Sequence, residues 1–130
     1  MPLISRVFIK TGVLYFLLAS TSLVVDTWVS DGVFWMTPTW LHLFVVGWIT
    51  HLIFGVAGWM FPKQSKELPR GRTAVGFSGY ALLNVGLVLR ALWEPCATVS
   101  RPMALLGSAI TQWVGAALLV VWIWPRVKGK

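Results

Sequence analysis

The sequence predicts an all-α membrane protein, an up-down bundle of four transmembrane helices with both chain ends in the cytoplasm. Of the 130 residues, 57% are hydrophobic and only 12% are charged. A soluble domain carries about 25% charged residues, so too few polar side chains remain here to cover a water-facing surface. The apolar residues also form four long runs, and the cations are unevenly distributed between the segments that join them. These three observations together indicate an integral membrane protein.

The four predicted helices cover about residues 7–25, 40–61, 73–93 and 103–124. Each run is close in length to the ~20 residues that cross the hydrocarbon core of a bilayer. The apolar residues are continuous and do not alternate, which favours helices over the strands of a membrane barrel. Short polar links join consecutive runs, so neighbouring helices are expected to be antiparallel. The whole chain, residues 1–130, is therefore predicted to be one four-helix domain.

The cations predict the orientation of the bundle. Nine of the eleven Lys and Arg residues lie before or at the start of the first helix, in the second link, or in the tail. They are Arg6, Lys10, Lys63, Lys66, Arg70, Arg72, Arg126, Lys128 and Lys130. The positive-inside rule places these segments in the cytoplasm, and a bacterial cytoplasmic (inner) membrane is the expected location. The net charge of +7 predicts attraction to anionic membrane lipid. Nucleic-acid binding is not expected, because the cations flank helices and form no separate basic domain.

Two histidines, His42 and His51, lie in the second predicted helix and are the only imidazoles of the chain. Ionisable side chains inside a bilayer are costly and commonly mark functional sites. Neutral imidazole is also a frequent ligand of metals and of haem iron. His42 falls near the outer end of the helix, and His51 lies about 13 Å deeper by the rise of an α-helix. Nine residues make about two and a half turns, so we expect the two rings to point to opposite sides of the helix.

Arg90 falls near the outer end of the third helix, at the depth of His42. A guanidinium suits bidentate contacts with carboxylates, and haem carries two propionates. His42 on the iron and Arg90 on a propionate would together hold a haem near the outer surface. Alternatively, Arg90 reaches lipid head groups or pairs with Glu94, four residues further along the same helix.

His51 also allows two interpretations. With Thr50, Asn84 and Gln112 it falls near the middle of the bilayer, where polar side chains commonly hydrogen-bond between helices. It could instead be a second iron ligand or a proton-handling group. Gly47 and the other glycines of the second and third helices likewise allow two alternative interpretations. They let helix backbones approach closely, or they leave room for a flat macrocycle beside the helix.

Two segments resemble a known family. They are His42-Leu-Phe-Val-Val-Gly47-Trp-Ile-Thr-His51-Leu-Ile-Phe-Gly55-Val-Ala-Gly58-Trp-Met-Phe-Pro62 and Leu83-Asn84-Val-Gly86-Leu-Val-Leu-Arg90. The first resembles the haem-ligating helix of the haem-copper oxidase large subunit, and both resemble the small four-helix membrane proteins related to that subunit. The resemblance implies that His42 binds haem iron. The copper site of the oxidases needs more imidazoles than this chain has, so no copper centre is expected.

The resemblance also implies an assembly. The oxidase large subunit has twelve helices in three arcs of four, so a four-helix relative could form a homotrimer, with a dimer as the alternative. By analogy, haem b would lie between protomers, held by His42 of one chain. Met103, at the outer end of the fourth helix, has a suitable depth for the second axial position, whereas His51 lies too deep. Covalent attachment is not expected, because the chain has no Cys-x-x-Cys-His sequence.

The expected function is that of a b-type haem protein, which transfers electrons with a redox partner or senses or handles a small gas such as O2 or NO. If the protein is an enzyme, it is an oxidoreductase. One alternative is a cofactor-free scaffold or accessory subunit. Another is a small transporter, which is disfavoured because all four carboxylates, Asp26, Asp31, Glu67 and Glu94, are expected at or beyond helix ends.

Sided cysteine labelling in intact cells tests the predicted orientation. With the native Cys96 replaced by Ser, Ser65→Cys should react only with reagents that reach the cytoplasm, because four cations surround this link. Asp31→Cys should react with impermeant reagents added outside. Labelling of Ser65→Cys by an impermeant reagent from outside would reverse the orientation.

Overall fold

The computed structural model describes residues 1–29, 37–95 and 102–127, and these ranges contain helices and no strand. Helix α1 is Leu3–Val29, and α2 consists of the contiguous stretches Thr37–His42, Leu43–Ile49 and Thr50–Met60. Helix α3 is Thr73–Trp93, and α4 is Pro102–Ile123, followed by a short 3-10 turn at Trp124–Arg126. All four helices are long and apolar enough to cross a membrane. The prediction of an all-helical membrane protein with four spans is confirmed.

Helix α1 is longer at both ends than the apolar run that predicted it. No Gly or Pro lies among residues 3–6 or 26–29, so helical bonding continues through these flanking residues. One consequence concerns Asp26, which was expected at or beyond the helix end. It lies instead within the last turns of α1 and is fully buried.

The middle of α2 departs from α-helical bonding. Leu43–Ile49 forms a π-helix, and at its end the backbone N–H of Thr50 donates to the carbonyl of Val45, five residues earlier. Such stretches are rare and occur mostly as short interruptions of α-helices, often near functional sites. Each turn of a π-helix holds more residues than an α-helical turn. The chain therefore rotates less per residue between His42 and Thr50 than a continuous α-helix would.

This change of rotation decides where the two histidines point. His42 Nδ1 lies 3.3 Å from Oε2 of Glu94, at the end of α3. His51 Nε2 lies 3.1 Å from Nδ2 of Asn84, also on α3. Both imidazoles thus face α3, and the expectation that they point to opposite sides of the helix is wrong. The physical reason is the π-helical stretch between them, which the α-helical calculation did not include.

The buried core consists of two apolar clusters, one towards each end of the bundle. The cluster at the end that holds Met1 and Arg72 is built around Phe8, Leu83 and Leu119. The cluster at the opposite end includes Tyr15 and Leu87. We call the end with Val29 and Trp93 the outer end and the opposite one the inner end, after the predicted orientation. Many leucines and valines on the outside of the helices are exposed, as a hydrocarbon environment allows.

Glycines bring helices α3 and α4 into close contact. A Cβ atom on Gly115 would lie 2.7 Å from the backbone nitrogen of Leu83 and 2.9 Å from the carbonyl oxygen of Gly79. Neither backbone atom can move aside without separating the helices, so this crossing requires glycine. Gly107, on the same helix, has open space where its Cβ would be.

A matched pair of substitutions tests this packing. Gly115→Ala should destabilise the bundle by about 1–3 kcal/mol, because the added methyl overpacks a backbone contact. Gly107→Ala adds the same methyl in open space and should leave stability unchanged or raise it by at most about 1 kcal/mol through helix propensity. Thermal unfolding in detergent, followed by tryptophan fluorescence, measures both. Equal midpoints for the two variants would contradict the close α3–α4 contact.

Candidate functional site

Three side chains form a polar group at the outer end, which we call the outer cluster: His42, Arg90 and Glu94. Glu94 lies between the other two, with Oε2 3.3 Å from His42 Nδ1 and Oε1 3.4 Å from Arg90 Nη1. The side chains of Arg90 and Glu94 are 19% and 11% exposed, so their pair is largely shielded from solvent. The Arg90–Glu94 pair considered from the sequence is thus present. The contact of the same carboxylate with His42 was not foreseen.

The imidazole of His42 has two different nitrogens. Nδ1 lies 2.7 Å from the carbonyl oxygen of Pro38, one turn earlier. A carbonyl only accepts, so Nδ1 is the protonated nitrogen and donates this hydrogen bond. The Glu94 carboxylate on the same side favours that arrangement. Nε2 then holds the lone pair, and no described residue donates a hydrogen bond to it. The side chain as a whole is 32% exposed.

Four buried polar atoms, in the outer cluster or up to three residues before His42, have no hydrogen-bond partner among the described residues, although one of them, Oε2 of Glu94, is in the ion-pair contact with His42. They are Nε of Arg90, Oε2 of Glu94, Nε1 of Trp40 and Oγ1 of Thr39. More than nine in ten buried polar groups in proteins are paired, so a local concentration of unpaired ones calls for an explanation. A bound polar group that reaches this end of the bundle would provide one.

His51 lies in a different environment, at the centre of an interhelical network. Its ring is fully buried. Nδ1 donates to the carbonyl of Val46 at 3.1 Å, and Nε2 accepts from Nδ2 of Asn84 at 3.1 Å. Asn84 also accepts from the hydroxyl of Tyr15 at 2.7 Å, and the Tyr80 hydroxyl bonds Thr11 at 2.7 Å. These bonds link helices α1, α2 and α3.

This network bears on the two interpretations of His51. Nδ1 carries a proton that it donates to a carbonyl, and the lone pair of Nε2 accepts from Asn84, so no lone pair of this ring is available to iron in this arrangement. The geometry favours the role of an interhelical hydrogen-bonding residue. The other two mid-membrane residues of the same group lie elsewhere, since Thr50 bonds the Val45 carbonyl and Gln112 bonds Ser108.

Gly47 and Met103, the remaining predicted site residues, are not in the outer cluster. A Cβ on Gly47 would lie 2.7 Å from Cγ of Tyr15, so the space beside this glycine is filled by a ring from α1. Gly47 therefore allows close helix approach and leaves no room there for a macrocycle. Met103 is 77% exposed near the start of α4, with its side chain at the protein surface.

The inner end contains a buried cation, Arg126. The sequence placed it among the cytoplasmic cations and did not predict its burial. Arg126 is fully buried and donates to the carbonyls of Gly58, Phe61 and Pro62. A guanidinium at the carboxyl end of α2 satisfies carbonyls that have no intrahelical donor and complements the helix dipole. The sequence did not predict these contacts of Arg126 or the hydrogen bond of Tyr80 beside His51. For Tyr80 the sequence carried one signal of this role, because Tyr80 stands four residues before Asn84 and so shares its helix face.

Comparisons with known proteins add no relative. No protein-family model matches the sequence, and neither the curated proteins nor the solved structures contain a match. Among the described residues, no group of three or more His, Cys, Asp or Glu side chains could hold a metal ion.

Substitution of His51 tests the interhelical network. His51→Ala should destabilise the protein, because the Val46 carbonyl loses its imidazole donor; a buried polar group left unpaired costs about 1–3 kcal/mol. Thr50→Ala is the matched control, since the Val45 carbonyl keeps the backbone N–H of residue 50 as a donor. That variant should stay within about 0.5 kcal/mol of wild type. If the two unfolding midpoints fall by the same amount, His51 has no special structural role.

Proposed function

We propose that the protein is a membrane-embedded b-type haem protein in which His42 is an axial ligand of the iron. The observation that supports this most is the arrangement of the His42 ring, with Nδ1 held by a backbone carbonyl and facing a carboxylate, while no described residue bonds Nε2 and the side chain is partly exposed. Histidines that ligate metals almost always donate their other N–H to a carboxylate or carbonyl, which fixes the tautomer and makes the ligand more basic. His51 lacks this arrangement, because both of its nitrogens are engaged.

Two of the four unpaired atoms of the outer end fit the propionates of the cofactor. Haem propionates are carboxylates, and the buried Nε of Arg90 and Nε1 of Trp40 are donors without a described acceptor. Charge-assisted bonds from a guanidinium to a carboxylate are among the stronger hydrogen bonds in proteins. Arg90 would thus contact a propionate while Glu94 keeps Arg90 and His42 in place.

The exposure of His42 supports an assembly. The ring is partly exposed, so a haem bound to it would need a second protein surface to cover it. A homotrimer, as the resemblance to the oxidase large subunit implies, would supply that surface, and a dimer is the alternative. Met103 is exposed at the same end of the bundle and is therefore available to a neighbouring protomer as the second axial ligand.

Bound haem b would supply one-electron transfer or the binding of a small gas, in a bacterial cytoplasmic membrane with both chain ends inside. The residues of this chain would set its properties. Glu94 beside Nδ1 of His42 increases electron donation by the ligand, and such outer contacts tune the reduction potential. The redox partner or gas would approach from the outer side.

A cofactor-free scaffold is the second candidate. It is favoured by the hydrogen-bonded network around His51, which links three helices, and by the glycine contacts that close the α3–α4 crossing. These features describe a rigid unit that could serve as an accessory subunit. The visible spectrum separates the two candidates, because only a haem protein has a Soret band.

The ligand assignment predicts opposite spectral effects for the two histidines. Purified from cells with ample haem, the wild-type protein should show a Soret band, and His42→Ala should lose most or all of it because the iron loses its ligand. His51→Ala should keep the band and lose mainly stability. Retention of the full spectrum by His42→Ala, with loss in His51→Ala, would contradict the assignment.

The charge of Arg90 should affect the haem without ligating the iron. Arg90→Ala should retain iron ligation but weaken haem binding or shift the reduction potential, because it removes a cation near the cofactor. Potentiometric titration of the purified protein measures the shift, with Arg6→Ala as a control that removes a cation far from the outer cluster. Equal potentials and haem content in all three proteins would exclude Arg90 from the site.

A further inference from the structure

The inner end of the bundle carries a folded basic loop between α2 and α3. The backbone N–H of Gln64 donates to the carbonyl of Pro69 at 3.1 Å, and that of Leu68 donates to Oγ of Ser65 at 2.9 Å. Gly71 closes the loop with a φ of +68°, a left-handed conformation that glycine adopts without strain. These bonds give the loop backbone a defined shape, which sets the backbone positions from which its cations extend.

The loop directs two of its arginines to different places. Arg70 turns into the bundle, where Nη1 donates to the carbonyls of Gly58 and Trp59 at 3.2 and 2.9 Å. Arg72 is exposed at the start of α3 and forms no ion pair with any described carboxylate. Arg70 therefore has a structural role in capping α2, whereas the charge of Arg72 is available to a ligand.

Arg72 lines a cavity of about 390 Å³ between the loop, the start of α3 and the end of α4. Arg72 and Gln64 form its polar side, and Val75, Val121 and Pro125 form its apolar side. A second cavity of about 390 Å³ shares Gln64 and is lined by Lys63 and Lys66 of the same loop. Gln64 thus separates Arg72, in the first cavity, from Lys63 and Lys66, in the second. The apolar surface belongs to the first cavity.

We propose that these adjoining cavities bind one anionic phospholipid. The phosphate would lie among Arg72, Gln64 and Lys66, and an acyl chain would follow Val75 and Val121 towards the membrane core. Charge complementarity selects an anionic head group, since each Lys or Arg near a membrane surface contributes attraction to anionic lipid. The apolar side selects a lipid over free phosphate, because Val121 is 61% exposed within a membrane-spanning helix and inorganic phosphate would leave it uncovered.

Native mass spectrometry of the full-length protein in detergent tests this site. The protein is incubated with phosphatidylglycerol or with phosphatidylcholine of identical acyl chains, and the retained lipid adducts are compared. We expect phosphatidylglycerol to be retained more strongly. Equal retention of the two lipids would overturn the proposal. So would displacement of phosphatidylglycerol by inorganic phosphate at concentrations that leave the protein intact, since that result would indicate a simple anion site.

Matched variants locate the two halves of the site. Arg72→Gln should lower phosphatidylglycerol affinity about fivefold, the effect of one cation near a membrane surface. Arg6→Gln removes an exposed cation from the same end of the bundle but outside both cavities, and it should have a smaller effect. Val121→Trp should block the apolar side and reduce retention of phosphatidylglycerol, whereas its neighbour Val120→Trp, which lines neither cavity, should not.

The controls decide whether a loss reflects the site. Unfolding midpoints of all four variants identify any that fail to fold. If Val121→Trp does so, Val121→Asp, which places a negative charge on the apolar side, takes its place with Val120→Asp as its control. Equal losses for Arg72→Gln and Arg6→Gln would show that only total charge attracts the lipid and would overturn the proposal. Equal retention of phosphatidylglycerol by the residue 121 and residue 120 variants would show that the cavity does not hold the lipid and would also overturn the proposal.

Discussion

The change from π-helical to α-helical bonding in α2 is the constraint on which the arrangement of both histidines depends. A change from i→i−5 to i→i−4 bonding skips one carbonyl, and the ring of His51 donates to the carbonyl of Val46 at this junction. An unpaired carbonyl in a membrane-spanning segment is costly, because hydrocarbon offers it no hydrogen-bond donor. His51 therefore stabilises the π-helical stretch, and that stretch in turn sets the rotation of His42 towards α3. The two imidazoles lie nine positions apart, on either side of this π-helical stretch.

The same element gives the two histidines opposite roles. His51 is fully buried, with a donor or acceptor on each nitrogen, and it links α2 to Asn84 and through that side chain to Tyr15. His42 is partly exposed and, among the described residues, forms its hydrogen bond and ion-pair contact through Nδ1. A satisfied network specifies one packing of the helices, and this fixed packing holds Glu94 and Arg90 beside His42. His51 thus stabilises the packing that holds His42, the proposed iron ligand, at the outer end.

The sequence predicted those features that depend on composition and depth. Continuous hydropathy located the four spans, and equal depth placed His51 with Asn84. The π-helical stretch was not predictable, because no residue in Leu43–Ile49 requires it; contacts such as Gly47 against Tyr15 form only after the helices pack. The contact of Glu94 with His42 depends on that stretch and was missed for the same reason. Burial of Arg126 was missed because a cation near a chain end is normally solvated, whereas here three carbonyls at the end of α2 bind it.

Solid-state NMR of the protein in bilayers, with the histidine rings labelled with 15N, tests the division of roles most directly. The two histidines give separable ring signals, and each reports which nitrogen carries a proton. On addition of haem, the account predicts that the Nε2 signal of His42 shifts or broadens strongly from contact with iron. The signals of His51 should keep a protonated Nδ1 and an Nε2 that accepts a hydrogen bond. Unchanged His42 signals together with perturbed His51 signals would contradict the account.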